Sequence, residues 1–503
     1  AGQLSQDMPK KTIKSISDES FFVFRTFDNK TVVSGGLTVA LPESEQFAAL
    51  DDDNYILTIL AEGGSAYSVG QNLDIEALSD SGALSVTYGA DRQSITIGGL
   101  TNVTTVKLTA LVSKNIVSRK IKTASKMRAM KITRTAKQQD VQRFGLLYGG
   151  LYGTRIEDTE ISFGLNDVYK LHAVYESSDD NPPKIPYIVL SEATFFAPGT
   201  VVTGGTSGAR AIVVSFINST LRLYNVDLNG SAFSPGETVT GVDTDNNVLT
   251  ATIDDADGSV EKGSKVITNQ YELNQAQNPF FYDVSRLVRK PGTTPPTRQL
   301  MAVFDYFIHE ASGDYFSGQS YTGIEFSDIP SPILKGSSQT VRDQIDFRPA
   351  VGELATGQGT VGSPFEVTCA TLDFDARQFS TTGQGAGAAA AATLFDIPKA
   401  ETEFRCDFDY YLPRTDKLFL THDNKLQLLK GNSSEDPQPP DNMQNAMCLA
   451  TLKHRAYMFT PERDSTINQE IIKRYTMKDI GDMEKRLTNV EYYTALSLLE
   501  VKA

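Results

Sequence analysis

The 503-residue sequence contains no tryptophan, only three cysteines and only four histidines. Sugar-binding clefts favour flat aromatic platforms, so the missing tryptophan weakens the hypothesis of a glycan hydrolase, although tyrosine could substitute. The cysteines, Cys369, Cys406 and Cys448, are too widely spaced for a metal or redox motif. We therefore expect reduced, buried thiols in a chain that assembles in a reducing cytoplasm.

The few histidines do not form a recognisable motif. They are scattered at His172, His309, His422 and His454, so only tertiary folding could bring them to partners. The pair His309-Glu310 lacks the second histidine of a zinc-protease helix, because residue 313 is glycine. The sequence therefore predicts no catalytic residues and no such metal site.

Two loops resemble ligand-binding motifs only in part. The glycine-rich residues 204–208 are not followed by the lysine and hydroxyl residue of a phosphate-binding loop, which favours a tight turn. Asp243, Asp245 and Asn247 alternate as calcium ligands do, but Val248 occupies the position of the required glycine. We predict no cofactor and no metal, and a weak surface calcium site remains an open alternative.

Long apolar runs are also missing. No stretch of 18 consecutive apolar residues occurs, which predicts that no segment spans a membrane. The composition, 40% hydrophobic and 22% charged, is that of a globular protein, and the length predicts several domains. The net charge of −15 disfavours broad nucleic-acid binding.

One segment departs from the acidic character of the chain. Residues 114–137 contain nine lysines or arginines and neither aspartate nor glutamate. They predict an exposed basic ribbon that docks on acidic neighbours through Arg119, Lys120, Lys122, Lys126, Arg128, Lys131 and Arg134. Nucleic acid is disfavoured as its partner because the segment lacks aromatic side chains for stacking. A ribbon that is merely solvated remains an open alternative.

Short β-branched runs separated by Gly, Asp and Asn turns predict a mainly β, multidomain fold with β-sandwich-like and small β-barrel modules and a C-terminal amphipathic helix. The predicted parts are an extended arm (1–20), a β-sandwich (21–113), the basic ribbon (114–139), a second β-rich domain (140–349) with an inserted small β-barrel at about 190–258, a β-rich region with a Gly/Ala-rich loop (350–459) and a helical assembly segment (460–503).

The last thirty residues predict a long helix, from Thr476 to Lys502. Thr476 and Asp479 have the spacing of a capping box. Apolar residues then recur at helical intervals and form one stripe, made of Ile480, Met483, Leu487 and Val490, with Tyr493 at its edge. No stop signal follows, so we expect a segment or processed product of a longer protein. The stripe predicts assembly with another chain, and packing on the chain's own domain is the alternative.

Three segments carry a resemblance to a known family. Residues 341–349 (VRDQIDFRP), residues 409–418 (DYYLPRTDKL) and the helix, in that order, resemble virion structural proteins of the T-even-like myoviruses that infect cyanobacteria. The resemblance implies a tail or baseplate component without enzymatic activity.

The implied setting follows from that family. Such a component is assembled in the host cytoplasm as a homo- or hetero-oligomer with other virion proteins, without a membrane or small-molecule partner. Arg342, Asp343, Asp346 and Arg348 are expected to fix a loop or clamp a neighbour, and Arg414 and Asp416 to form an ion pair. The alternatives are a receptor-binding or tail-fibre protein whose inserted module touches the host, and a tail-associated glycan hydrolase.

Overall fold

The structure is a computed structural model that describes residues 4–8, 21–64, 67–115, 117–133, 153–225, 231–243, 247–310, 312–325, 328–330, 332, 334, 340–351, 359–360, 363–367, 379–380, 395–400, 402, 411–458, 461–470 and 475–502. It has two compact units: unit 1 contains most of the chain up to residue 409, and unit 2 contains the chain from residue 410. The predicted Gly/Ala-rich loop and Arg134 lie outside the described residues.

The first domain of unit 1 is a β-sandwich, as the strand pattern predicts. After the short strand β1 (Ser5–Asp7), it comprises β2 (Phe21–Thr31), β3 (Gly36–Ala40), β4 (Glu45–Phe47), β5 (Tyr55–Glu62), β6 (Asn72–Leu73), helix α1 (Ile75–Asp80), β7 (Ser85–Tyr88), β8 (Ser94–Gly98) and β9 (Val103–Lys114). One antiparallel sheet has the order β2-β9-β5-β6, with β4 also on β9, and the other has the order β3-β8-β7. Alternate residues of each sheet, such as Leu57, Ile97 and Val106, meet in one core.

The remaining strands of unit 1 follow in chain order. They are β10 (Lys122–Ile132), β11 (Glu160–Asn166), β12 (Val168–Glu176), β13 (Tyr187–Val189), β14 (Val201–Gly204), β15 (Arg210–Ile217), β16 (Thr220–Asn225), β17 (Thr238–Val242), β18 (Val248–Thr252), β19 (Val260–Glu261), β20 (Lys265–Val266), β21 (Tyr271–Asn274), β22 (Val284–Arg289), β23 (Leu300–His309), β24 (Tyr321–Thr322), β25 (Gln344–Asp346), β26 (Ala350–Val351), β27 (Phe365–Glu366), β28 (Phe379–Ser380) and β29 (Phe395–Pro398).

The second domain is also built from two packed sheets. One sheet has the order β20-β12-β23-β10-β24, with β27 also paired to β10, and the other has the order β11-β22-β21. Phe163, Leu287 and Phe304 belong to the core between them. Strand β23 lies at the centre and is buried at all but one of its positions, which explains its nearly uninterrupted apolar sequence. Two short strands pair with partners that are distant in sequence: β1 pairs with β25, and β29 pairs with β2.

The inserted module has its own core, formed by residues such as Phe196, Val213 and Leu223. Its seven strands form one sheet, in the order β18-β17-β14-β15-β16-β13-β19. The predicted small barrel is wrong in this respect, because the sheet is not closed. Within the described residues, an isolated bridge joins Leu190, directly after β13, to Ile253, directly after β18. The two ends of the sheet therefore approach each other, but no continuous ladder of strand pairing closes it into a barrel.

Unit 2 is a small antiparallel sheet followed by a long helix. Its elements are β30 (Arg414–Thr421), β31 (Leu426–Leu429), β32 (Ala446–His454), α2 (Pro461–Asp464), β33 (Ser465–Gln469) and α3 (Met477–Lys502). The strand order is β31-β30-β32-β33. The segment predicted to be helical from residue 460 therefore contains a strand as well. Within the described residues, none of the helices combines the length and hydropathy needed to cross a bilayer.

Candidate functional site

The basic segment is placed differently from the prediction. The exposed ribbon is wrong for residues 122–132, because β10 pairs with β23 on one side and with β24 and β27 on the other. Of the predicted docking residues, Arg119 and Lys126 are exposed, Arg128 and Lys131 are half-buried, and Lys120 and Lys122 are buried. The sequence of this segment shows its positive charges, but the carboxylates that pair with them lie in distant parts of the chain. The prediction therefore missed the pairing.

Lys122 is the most deeply enclosed of these cations, with no exposed side-chain surface. Its strand register places it between His309 of β23 and Tyr321 of β24. Its Nζ atom donates to Asp167 Oδ2 at 2.7 Å and to the Tyr282 hydroxyl at 3.0 Å. The cation is therefore paired and hydrogen-bonded, as a buried charge must be.

Asp167 is held in the turn between β11 and β12. It has φ of +53°, a left-handed conformation that aspartate tolerates better than most residues. Its Oδ2 atom also lies 2.8 Å from His309 Nε2, and its Oδ1 atom accepts from Gln277 Nε2 at 3.2 Å. Three side chains from distant parts of the chain therefore converge on one carboxylate.

A second carboxylate extends the network through Tyr282. The tyrosine hydroxyl donates to Asp346, and Arg348 forms a bidentate ion pair with Asp346 at 2.8 and 2.9 Å. The Arg348 guanidinium also lies 4.1 Å from the centre of the Tyr282 ring. Phe316 packs against His309 and Lys122. We call Lys122, Asp167, Tyr282, His309, Asp346 and Arg348 the buried network.

The electrostatics of the buried network follow from its enclosure. Burial lowers the pKa of Lys122 despite its two aspartate neighbours. Burial also lowers the pKa of His309 to about 4, and the positive charge of Lys122 adds to that shift, so the ring is neutral at pH 7. Burial opposes ionisation of Asp167, but Lys122 and the hydrogen bond from His309 outweigh it and hold its pKa below the usual range.

The predicted ion pairs of the 341–349 segment are present and serve to fix this irregular loop. Arg342 forms a bidentate pair with the adjacent Asp343, at 2.7 and 2.9 Å, and Thr340 donates to the same carboxylate. All of these side chains are buried. With the Asp346–Arg348 pair, the segment brings two internally neutralised pairs into the second domain.

Another charged cluster joins the two sandwiches of unit 1. Lys114, at the end of β9, contacts Asp314 and lies 2.9 Å from Asp396 and 3.6 Å from Glu45. Arg25 of β2 binds Glu45 and Asp396 as well. Burial opposes the charge on Lys114, but the carboxylates raise its pKa, so this lysine stays protonated.

In unit 2 the predicted Arg414–Asp416 ion pair is confirmed, with contacts of 2.8 and 2.9 Å. Sequence reasoning missed that Asp416 also lies 3.2 Å from His454 Nε2, while His454 Nδ1 lies 2.8 Å from the Ser465 hydroxyl. The order Ser–His–Asp resembles a hydrolase triad, but the ring nitrogens are exchanged relative to the usual arrangement. Asp416 accepts from Gly431 N as well, which is what a strand-fixing anchor requires.

Helix α3 has the predicted cap and stripe. Thr476 N donates to Asp479 Oδ2 at 2.9 Å, and Asp479 N donates back to the Thr476 hydroxyl at 3.3 Å. The predicted assembly residues Ile480, Met483, Leu487, Val490 and Tyr493 are between 44% and 66% exposed. The final turns add exposed Tyr492, Leu496, Leu498, Leu499 and Val501.

The inserted module has a small cleft of about 180 Å³. Its lining includes Tyr187, Phe233, Glu261 and Lys262. Of the calcium-like residues nearby, Asp245 lies outside the described residues, and the Asp243 carboxylate accepts from the backbone and side-chain nitrogens of Asn247. The cleft is a feature of this module that could take a ligand.

A family model matches the C-terminal third of the chain. Residues 335–503 match a family described as a domain of unknown function, DUF4815. The match covers about a third of the chain and includes the 341–349 loop and the described part of unit 2. No curated protein matches the sequence.

Proposed function

We propose that this chain is a structural subunit of a larger particle and that helix α3 joins it to its neighbours. The observation that carries the proposal is the exposure of an entire apolar stripe along a 26-residue helix. Leu487 and Val490 are 61% and 62% exposed, and an apolar surface of this kind favours a protein partner. The motif resemblance supports a tail or baseplate structure of a contractile-tailed phage as the particle.

The arrangement of the stripe favours copies of the same chain as partners. With Ile480 at position a of a heptad, the a positions continue through Leu487, Thr494 and Val501, and the d positions are Met483, Val490 and Ser497. Thr494 is tolerated at such a seam because its hydroxyl donates to the Val490 carbonyl of its own helix. Five of these seven a and d positions are apolar.

Charge complementarity selects a parallel pairing. Position g of one heptad faces position e of the next heptad in a parallel neighbour. Arg486 occupies a g position and Glu491 the following e position, so a parallel copy in register brings opposite charges together. The preceding pair would be Asp479 and Glu484, but the Asp479 carboxylate is engaged by the Thr476 cap.

The stripe also favours more than two helices. Leucine at a with a β-branched residue at d, as at Leu487 and Val490, shifts coiled coils from dimers towards trimers and tetramers. From Tyr492 onward large apolar residues lie on both sides of the helix, which suits a wider bundle better than a pair. We therefore expect three or four copies.

Light scattering tests the proposal on the full chain and on a chain that ends at residue 475. We expect a multiple of the monomer mass for the full chain and a folded monomer for the shortened one, at low and high salt alike because the contact is apolar. Equal monomer masses for both chains would contradict the homotypic contact. A shortened chain that still entered phage tails in infected cells would contradict the assembly role.

The cleft of the inserted module favours a second candidate function, binding of a host-surface ligand. Its aromatic and charged lining suits a small polar ligand with an apolar face. Binding of host envelope polysaccharide by the full chain, lost in Phe233→Ala and kept in Phe195→Ala, would support this receptor-binding role. Phe195 is a suitable control because it is exposed in the same module and does not line the cleft.

A further inference from the structure

We propose that Lys122 and Asp167 are joined by an intramolecular isopeptide bond, which forms spontaneously after the second domain has folded. The pair is 45 positions apart in sequence, and Lys122 Nζ lies 2.7 Å from Asp167 Oδ2 inside a closed core. The bond makes this pair a covalent modification site within a domain whose proposed work is structural.

The geometry presents an amine to a carboxyl group in a fixed orientation. The carboxyl carbon of Asp167 is one bond beyond Oδ2, close to the separation of ~3–3.5 Å at which nucleophilic attack begins. Lys122 is fixed by its place in β10, and Asp167 by the turn before β12. The two groups therefore meet without the entropy cost that a condensation in solution would require.

The reaction needs no external reagent. Proton transfer along the hydrogen bond converts the ammonium and carboxylate into an amine and a carboxylic acid. Burial favours this neutral pair, while the Lys122 charge and the hydrogen bond from His309 favour the ionised Asp167, so the neutral pair is the minor, reactive form. Nζ then attacks Cγ, a C–N bond forms, the Cγ–Oδ2 bond breaks, and Oδ2 leaves as water with two protons from Nζ. The products are one neutral amide and one water molecule, so atoms and charge balance.

Neighbouring groups serve each part of this chemistry. Gln277 Nε2 donates to Asp167 Oδ1, the oxygen on which negative charge develops during attack. His309 Nε2 lies 2.8 Å from the leaving Oδ2, and a hydrogen bond at this distance stabilises that oxygen as the Cγ–Oδ2 bond breaks. The Tyr282 hydroxyl accepts from Lys122 and donates to Asp346, which orients Nζ towards Asp167.

The enclosure of the pair excludes competing water. Phe316 and Tyr321 lie over the Lys122 ammonium at 4.6 and 5.2 Å from their ring centres, and Tyr282 lies at 4.2 Å. Burial lowers the pKa of Lys122, which favours the nucleophilic amine. Lys114 is the natural contrast: it also touches an aspartate, but its surrounding carboxylates raise its pKa and keep it protonated.

The bond would reinforce the sheet across its centre. Lys122 belongs to β10 and Asp167 precedes β12, and both strands pair with β23 from opposite sides. An amide between them ties the three strands together and removes two buried charges from the core. A pulling force transmitted through a particle would meet a covalent link at this point.

Intact-mass measurement of the full chain under denaturing conditions tests the proposal without any substitution. We expect the sequence mass less one water molecule, and a branched tryptic product that joins residues 121–126 to residues 156–170. The full sequence mass, with both peptides recovered separately, would overturn the proposal. A water loss confined to any other peptide would overturn it as well.

Three variants sharpen the assignment. Lys122→Arg retains the cation but cannot condense in this way, so its mass should equal its full sequence mass, whereas Lys131→Arg should still lose water. Asp167→Asn should lose ammonia instead and reach the same final mass as the natural product. This result is independent of oligomeric state, so its failure is distinguishable from failure of the assembly proposal.

Discussion

Lys122 in unit 1 and Leu487 in unit 2 each lie in the environment opposite to the one that their side chains favour. The lysine has no exposed surface, and the leucine is 61% exposed. In unit 1 the buried lysine is stabilised within the chain, because Asp167 and Tyr282 accept hydrogen bonds from its ammonium group. In unit 2 the exposed leucine is not buried within one chain, and we propose that another copy of the helix covers it. The comparison separates interactions that hold a domain together from those that hold copies together.

The largest expected effect is on oligomer formation, through the exposed Leu487 of helix α3. Leu487→Asp places a charge at the centre of the proposed seam, where each copy would lose about 1.5–3 kcal/mol of apolar burial and gain an unpaired charge. We expect complete loss of the oligomer in sedimentation velocity experiments, with the β-sheet signal unchanged.

Thr488→Asp is the matched control for that substitution. Residue 488 is adjacent in the helix but lies at position b, away from the seam, so the oligomer should persist. Dissociation of both variants, or of neither, would contradict the proposed seam.

The second prediction concerns the buried network of unit 1 and the pH dependence of its stability. His309 has a pKa of about 4 in the folded protein against 6.5 without burial, so the unfolded state binds its proton first as the pH falls. Stability should therefore decrease between pH 6.5 and 4, by up to about 3 kcal/mol, and this loss should stop below pH 4. Chemical denaturation of unit 1 at several pH values measures it.

The other histidines and acids limit how that result is interpreted. His422 is exposed, so His422→Gln is the control for removing a histidine outside the buried network. The pKa of Asp346 is lowered in the folded state, so its stabilising contribution is lost only in more acidic solution, as pH falls below about 3.8. Constant stability between pH 6.5 and 4 would contradict the buried, neutral state of His309.

Sequence alone predicted the elements whose determinants are local. The short β-branched runs between turn residues predict the strands of the first domain, and the Thr476–Asp479 spacing predicts the start of α3, because both depend on neighbouring residues. The buried network could not be predicted in this way. The partner of Lys122 is 45 positions away, so a run of basic residues without its distant carboxylates resembled an exposed ribbon.

One signal could have warned against the ribbon. The segment from Leu300 to Ile308 is apolar except for Asp305, which predicts a strand buried on both faces, and such a strand needs neighbours on both sides. Lys122 pairs with the end of that strand. The module's open sheet was likewise beyond prediction, because closure depends on the meeting of distant edges at Leu190 and Ile253.

The smallest expected effect concerns the charges beside the seam. Arg486→Glu would face Glu491 of the next copy and should weaken association by about 0.2–1 kcal/mol per pair, as exposed ion pairs do. The double variant Arg486→Glu with Glu491→Arg should recover the association constant in sedimentation equilibrium. Lys485→Glu makes the same charge change at an outward position and should have little effect. Absence of recovery would contradict the parallel pairing.

The most direct test of the central claim is a disulfide trap at position d of the seam. Ser497→Cys should give a covalent dimer after mild oxidation, because identical residues of parallel helices in register lie close enough for a disulfide. Lys485→Cys points outward and should give no more dimer than the natural chain, whose cysteines set the background. Rapid, selective trapping through residue 497 is the result that we predict. Equal trapping of the two variants, or none above background, would contradict the joining of copies through helix α3.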